Sequence, residues 1–317
     1  MSLTTTEEPT RVNRDQNAGI ASENQTPPTS QTANSHLTDT ELPDTLVIIE
    51  PSSSWVALNL REMWVYRELL YFLTWRDIKI RYKQTVLGAL WAIIQPLFTM
   101  LIFSTVASFT GLAQKTGGVP YPLATYAALV PWTFFASAVT NSGNSLIGSA
   151  NLISKVYFPR MLVPAAAIIA ALLDFAIAFM FLLPLALFYR GGLVLSSNLL
   201  MLPVLILLVA VLALGVGMWM SALNVKYRDI RYALPFMIQL GMFASPIYFW
   251  LNIVPARWQP LFLLNPVTGI IEGFRSALFG LPFHWTALGT SSVITVLMLV
   301  YALYAFRRME KSFADII

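Results

Sequence analysis

Long apolar runs recur from Leu87 to Phe306, and they constrain this chain more than any motif does. A helix needs about 20 mostly apolar residues to cross a hydrocarbon core roughly 30 Å thick. Several runs reach that length, and only 11% of the 317 residues are charged. Mean hydropathy is +0.64. A soluble domain of this size carries far more charge on its surface. The implied fold class is an all-α integral membrane protein. Six transmembrane helices are expected, with an N-terminal amphipathic interface helix and a re-entrant helical hairpin before the last span.

The spans fall near Gly88–Phe109, Pro122–Asn144, Leu162–Tyr189, Leu199–Leu223, Tyr232–Leu251 and Ala287–Phe306. Residues 1–45 are rich in Ser, Thr, Asn, Gln and Pro, as in Pro27-Pro28-Thr29-Ser30-Gln31-Thr32, and read as a disordered polar tail. With no apolar run behind a basic start, this tail is not expected to be a signal peptide. Residues 46–86 form the interface-helix region and 87–317 the six-span domain. Between Pro255 and Phe283, Pro255, Pro260, Pro266 and Pro282 separate apolar pieces too short to cross. Such pieces read as a hairpin buried in protein, with a flat interfacial loop as the alternative. Prolines inside the spans, including Pro96, Pro131, Pro164, Pro184, Pro203, Pro235 and Pro246, are expected to kink them.

The formal net charge is +4, and the basic residues stand mostly between spans. That placement implies membrane orientation and no nucleic-acid partner. Arg76, Lys79, Arg81 and Lys83 precede the first span. Lys155 and Arg160 follow the second, Lys226, Arg228 and Arg231 follow the fourth, and Arg307, Arg308 and Lys311 follow the sixth. The opposite loops carry less: Lys115, Arg190, and Arg257 with Arg275 in the hairpin. Both termini are therefore expected in the cytoplasm.

From about Ala57 to Gln84 the pattern is amphipathic. Leu60, Trp64, Tyr71, Trp75, Ile78 and Tyr82 recur at helical spacing, with Arg61, Arg67 and the four basic residues above on the polar side. A basic helix with large aromatics suits the membrane interface, or else the face of a cytosolic partner. Asp77 and Arg81, four residues apart, are placed to pair along it.

Few side chains inside the spans carry chemistry. Asp174 stands alone in the third span, either as a functional carboxylate or as a hydrogen-bonded group joining helices. Gln95, Asn141, Asn144 and Gln239 are candidate interhelical hydrogen-bonders. Trp132, Phe134 and Phe135 cluster near an inferred span end, as do Tyr248 and Phe249. They read as an interfacial belt or as channel aromatics able to stack on sugars. Ser149–Phe158 reads as a short amphipathic helix that rests on lipid or fits a groove on a partner. No phosphate-cradling G-x-x-x-x-G-K-[ST] loop occurs. The absence of cysteine excludes disulfides and thiolate chemistry. His36 and His284 have no metal-ligand spacing.

Several strings are characteristic together: Tyr66-Arg67-Glu68-Leu69-Leu70, Trp75-Arg76-Asp77-Ile78-Lys79-Ile80-Arg81-Tyr82-Lys83-Gln84-Thr85, and Leu87-Gly88 leading to Gln95-Pro96. Pro131-Trp132, Lys155-Val156-Tyr157-Phe158-Pro159-Arg160 and Asn224-Val225-Lys226-Tyr227-Arg228-Asp229 follow. Leu264-Asn265-Pro266 and Glu272-Gly273-Phe274-Arg275 complete the set. From about Ile49 onward the chain resembles the transmembrane subunit of type-2 ABC exporters for polysaccharides, the O-antigen, teichoic-acid and capsule permease group.

The resemblance implies a homodimer in the bacterial inner membrane, bound to two copies of a separate ATPase subunit. That partner would bind ATP and Mg, so this chain needs no cofactor and is no enzyme itself. The cargo implied is a lipid-linked polysaccharide, normally on undecaprenyl diphosphate. Arg76, Lys79, Arg81 and Lys83, with Tyr82 as a gate, become candidates for its head group, although simple positive-inside anchoring explains the charges too. Ser149, Leu152, Ile153, Lys155 and Tyr157 become candidates for coupling to the ATPase. Asp174, Glu272 and Arg275 are the polar residues at membrane depth. A permease for small-molecule or lipid efflux, or a membrane transferase acting on lipid-linked glycans, are the alternatives. The transferase predicts clustered acids or histidines at one interface, which do not occur.

Overall fold

The computed structural model describes residues 64–83, 85–115, 118–189, 194 and 196–316. The polar tail, Leu60 and Arg61 at the start of the expected interface helix, and Arg190 lie outside them. Among the described residues every regular element is helical. They are α1 (Arg67–Tyr82), α2 (Trp91–Thr110), α3 (Tyr121–Gly148), α4 (Ala150–Ile153), α5 (Leu162–Phe188), α6 (Leu202–Lys226), α7 (Ile230–Phe243), α8 (Gln259–Leu263), α9 (Pro266–Phe279) and α10 (Trp285–Ile316). Five segments are long and apolar enough to cross a membrane: Gly88–Thr110, Tyr121–Gly148, Leu162–Phe188, Ser197–Lys226 and Trp285–Glu310.

Helix ends follow local chemistry. Gly111, at φ 70°, closes α2 in the left-handed region that only glycine enters at no steric cost. Pro122 falls in the first turn of α3, where its missing N–H is not needed. Pro203 sits likewise in the first turn of α6 and does not kink it.

The core is built on α3. It packs most extensively against α5 and α6, and α6 against α10. Small residues set these distances. A Cβ on Gly217 would lie 2.6 Å from Ser142 Oγ, so the small Ser142 side chain of α3 packs directly on the α6 backbone there. Asn224 Nδ2 then donates to the Gly143 carbonyl at 2.9 Å and to Asn144 Oδ1 at 3.1 Å, tying the ends of these helices together.

The expected fifth span, Tyr232–Leu251, is corrected. Its helix is α7, 14 residues long and ending at Phe243. At 1.5 Å per residue that is about 21 Å, short of a crossing. The cause is Ser245-Pro246: a residue before proline disfavours helical backbone, and Pro246 has no N–H to donate. Yet the chain must change ends here. α6 finishes beside the end of α3. The segment before α10 lies beside the start of α6, where Asn198 Nδ2 donates to the Leu281 carbonyl at 2.9 Å. This traverse is therefore composite, with α7 covering part of it and irregular chain and α9 the rest.

α9 is the returning arm of the expected hairpin. Asn265 caps it by accepting from the Val267 N–H at 3.0 Å, Pro266 occupies its first turn, and Gly280 at φ 67° ends it. Asn265 Nδ2 also donates to Ser245 Oγ at 2.8 Å, so the hairpin returns to the end of α7. Every residue from Val267 to Phe279 is buried. Broken helix at membrane depth needs this enclosure, because no lipid can satisfy a free backbone group. Gly269 permits it: a Cβ there would lie 2.1 Å from the Ala287 carbonyl oxygen of α10.

Candidate functional site

The basic residues before α2 share one short helix but not one environment. α1 lies along α5. Leu73 is its one buried residue among those described. Trp64, Tyr71, Phe72, Trp75 and Ile80 are exposed, which leaves an aromatic face open to lipid or to a partner. Phe72, Trp75, Arg76, Lys79, Ile80 and Lys83 line an open groove on this outer side. Cations and apolar rings thus alternate along one surface.

Arg81 and Tyr82 turn the other way. Arg81 Nη1 donates to Asp174 Oδ2, and the Tyr82 hydroxyl donates to Asp174 Oδ1. The sequence offered Asp77 as the mate of Arg81. Instead Asp77 pairs with its neighbour Arg76 at 2.8 Å. Asp174, alone in its own span, receives both donors. Partial burial and the Asp174 carboxyl hold the Tyr82 phenol well above its usual range, so it stays a proton donor. Asp174 lies at the middle of α5, about 18 Å along the helix from Leu162 and about 21 Å from Phe188.

Beside this triad is a cavity of about 190 Å³. Its walls include Trp91, Gln95 and Pro96 of α2, Thr133, Phe134 and Ser137 of α3, and Phe175 of α5. A charged triad, a few hydroxyls, the Gln95 amide and aromatic walls meet where α1, α2, α3 and α5 converge. Arg81 and Asp174 keep 26% and 21% of their side-chain surface exposed, so the pair is reachable from outside the protein.

The remaining candidates separate clearly. Trp132, Phe134 and Phe135 are not at a span end; they are buried in the middle of α3. Trp132 lies over Gly241 of α7, and Phe134 meets Phe175 edge-on at 5.6 Å. α3 is central to the bundle, so its aromatics fill the core. Tyr248 stacks on Phe103 at 3.4 Å, and Phe249 meets Phe262 edge-on at 5.5 Å.

The expected helix Ser149–Phe158 is also corrected. Only the single turn α4 is helical, and turns carry the chain on to Pro159. Ser149 faces inward and accepts from Arg76 Nη2 at 3.2 Å. Leu152 and Ile153 pack against a second core cluster that includes Phe158, Met161 and Phe313. Lys155, Val156 and Tyr157 project outward, with Tyr157 83% exposed. Close by in sequence, Arg160 Nη1 donates to the Glu310 carbonyl at 2.8 Å. The loops richest in basic residues therefore gather at one end of the bundle.

Glu272 and Arg275 form a buried pair at 3.1 Å. Arg275 also donates to the carbonyls of Ala124, Pro246, Ile247 and Phe249 and lies over the Trp250 ring. Sequence reasoning marked the pair as polar residues at membrane depth but did not find this web. The bonds of Asn224 and the Arg160–Glu310 contact also escaped it, although both Asn224 and Arg160 stand in the strings quoted above.

Residues 68–279 match the model of the ABC-2 type transporter family. The chain is 26% identical over 250 residues to the O-antigen export system permease protein RfbA of Klebsiella pneumoniae, covering 79% of this chain and 95% of that protein. Identity to the protein of the same name from Myxococcus xanthus is 26% over 260 residues, covering 80% and 97%. The polysialic acid transport protein KpsM of Escherichia coli is 26% identical over 241 residues, covering 75% and 92%.

Proposed function

We propose, from the premise that this chain belongs to the ABC-2 type transporter family, that it is the membrane-spanning subunit of an exporter for a lipid-linked polysaccharide. The observation that carries this reading is the set of donors on α1 beside open apolar surface. A soluble anion needs only the donors. A diphosphate on a polyprenyl chain needs both, and Arg grips phosphate oxygens in a fork. Relatives named for O-antigen export and polysialic acid transport support the cargo class.

Two copies form the passage in this reading. α2 buries only Pro96, Met100 and Ala107, and α7 only Leu234. Phe98, Ile102, Val106 and Phe109 of one, with Phe236, Leu240 and Phe243 of the other, leave apolar faces for lipid and a second subunit. Closed two-fold pairing is the commonest way such a surface is covered. ATP and Mg²⁺ bind separate ATPase subunits, which dock on the exposed turn at Lys155–Tyr157. That end faces the cytoplasm of a bacterial inner membrane, with both termini.

Two measurements test this. Deleting the gene is expected to leave lipid-linked glycan inside the cell and strip it from the surface, with restoration by the intact gene. Unchanged surface glycan would remove the cargo assignment. For orientation, the native chain has no cysteine, so Lys155→Cys provides a single label site. An impermeant maleimide should react only after permeabilisation; reaction on intact cells would invert the topology.

A further inference from the structure

Two of the donors on α1 already hold an anion supplied by the protein itself. Arg81 and Tyr82 supply a guanidinium and a phenol to one acceptor, the Asp174 carboxyl of α5. We propose that Asp174 is an exchangeable counter-ion, which occupies the Arg81–Tyr82 donors until the diphosphate of a lipid displaces it and which then helps expel that diphosphate. The inference rests on the cargo reading above and assigns Asp174 a role in binding and release.

The chemistry favours exchange over permanent pairing. A carboxylate offers Arg81 two oxygens and one charge. A diphosphate offers more oxygens and more charge to the same fork. Lys79 and Lys83 line the groove on the other side of α1 with no ion-pair partner among the described residues, and their charge draws a diphosphate toward this helix. Displacement is physically open because both partners keep about a quarter of their surface exposed. The released carboxyl does not enter bare hydrocarbon: Gln95, Thr133 and Ser137 line the same cavity. Removing a partner from a buried charge is costly, so a displaced Asp174 presses to recover Arg81. It also repels the bound diphosphate. A translocation site must bind tightly enough to load and weakly enough to release, and a resident carboxylate supplies the second half.

The test uses the complete transporter, permease with its ATPase, in proteoliposomes of phosphatidylethanolamine and phosphatidylglycerol. The probe is undecaprenyl diphosphate, with inorganic pyrophosphate in a parallel arm. Lipid-stimulated ATPase gives a half-saturating concentration, and outward movement of the lipid gives a maximal rate. Asp174→Asn keeps the shape and removes the charge. It is expected to lower the half-saturating concentration about tenfold, one charge-assisted hydrogen bond's difference, while slowing maximal transfer.

A purely structural pair predicts the opposite, a higher half-saturating concentration with a lower melting temperature; that result, or no change, overturns the proposal. The swap Arg81→Asp with Asp174→Arg rebuilds the pair but moves the guanidinium from α1 to α5. It should fold and respond to no diphosphate, and full recovery of stimulation would also overturn it. Pyrophosphate acting as well as the lipid would overturn the assignment to a lipid head group. A wild-type transporter indifferent to both overturns the cargo reading itself, and the exchange with it.

Discussion

Arg275→Met is expected to cost more stability than any other single change in the described core, lowering the melting temperature of the purified protein by roughly 10 °C or more. Met keeps much of the volume, so little of the loss is cavity. Arg275 Nη1 donates to the Pro246 and Phe249 carbonyls at 2.9 and 3.0 Å, and Nη2 to the Ile247 carbonyl at 2.6 Å. Nε reaches the Ala124 carbonyl at 3.3 Å. Three of these acceptors lie on the irregular chain after α7, where no helix partner replaces the lost donor; the Ala124 carbonyl, in the first turn of α3, keeps its intrahelical bond. Each buried orphan costs about 1–3 kcal/mol. Glu272, itself 2% exposed, would be left without its cation. Breaking such a pair from one side typically costs about 3–5 kcal/mol, a large share of the ~5–15 kcal/mol that holds a domain together. Glu272→Gln should lose less than half as much, because its amide oxygen still accepts from Arg275. Heating followed by size-exclusion chromatography reads both. A shift under about 2 °C for Arg275→Met would mean the composite traverse is held by packing alone.

Tyr157→Asp is expected to abolish capture of the ATPase subunit while leaving expression and melting temperature unchanged. Ile153 is the position that amphipathic periodicity favours for such a test. It is half-buried against the cluster around Phe158 and Met161, so a charge there would damage the chain's own core. Tyr157 and Val156, 83% and 51% exposed, are apolar residues with no cover in the protomer. Aromatic anchors of this kind dominate binding energy, and losing one typically costs about 2 kcal/mol or more, roughly thirtyfold in affinity. A buried aspartate would add desolvation to that loss. Pull-down of the ATPase through a tag on this chain measures it. Lys155→Ala should weaken capture only a few-fold and make it less salt-sensitive, as a rim charge does. Normal co-purification of the Tyr157→Asp protein would exclude the turn as the coupling element.

Membrane residence, the all-helical class and the gathering of basic loops were legible in the sequence because each depends on local composition. A run of apolar residues states its own solvent, and a backbone in lipid must then bond to itself as helix. The hairpin before the last span was legible for a similar reason: the prolines that break its apolar run lie close together in sequence. Periodicity failed where a neighbour or a single proline outweighed it. Hydropathy carries the expected fifth span through to Leu251, but Ser245-Pro246 stops the helix at Phe243. Amphipathic spacing extends the segment after α3 to Phe158, but packing of Leu152, Ile153 and Phe158 folds it into one turn and an exposed knuckle.

The candidate site was half legible. Arg81, Tyr82 and Asp174 each drew notice by residue type and place, since an ionisable group at membrane depth is expensive. Their union was not, because Arg81 and Asp174 are 93 positions apart and Asp77 offered a nearer mate. The same limit hid the carbonyls around Arg275, one of them 151 positions away at Ala124. The sequence alone determined where this chain lives, which residues are costly to bury there, and which end gathers charge, because hydration energies belong to residues one at a time. Only the tertiary structure decided which partners offset those costs, because a hydrogen bond depends on two groups meeting within about 3 Å, and distance along the chain does not measure that.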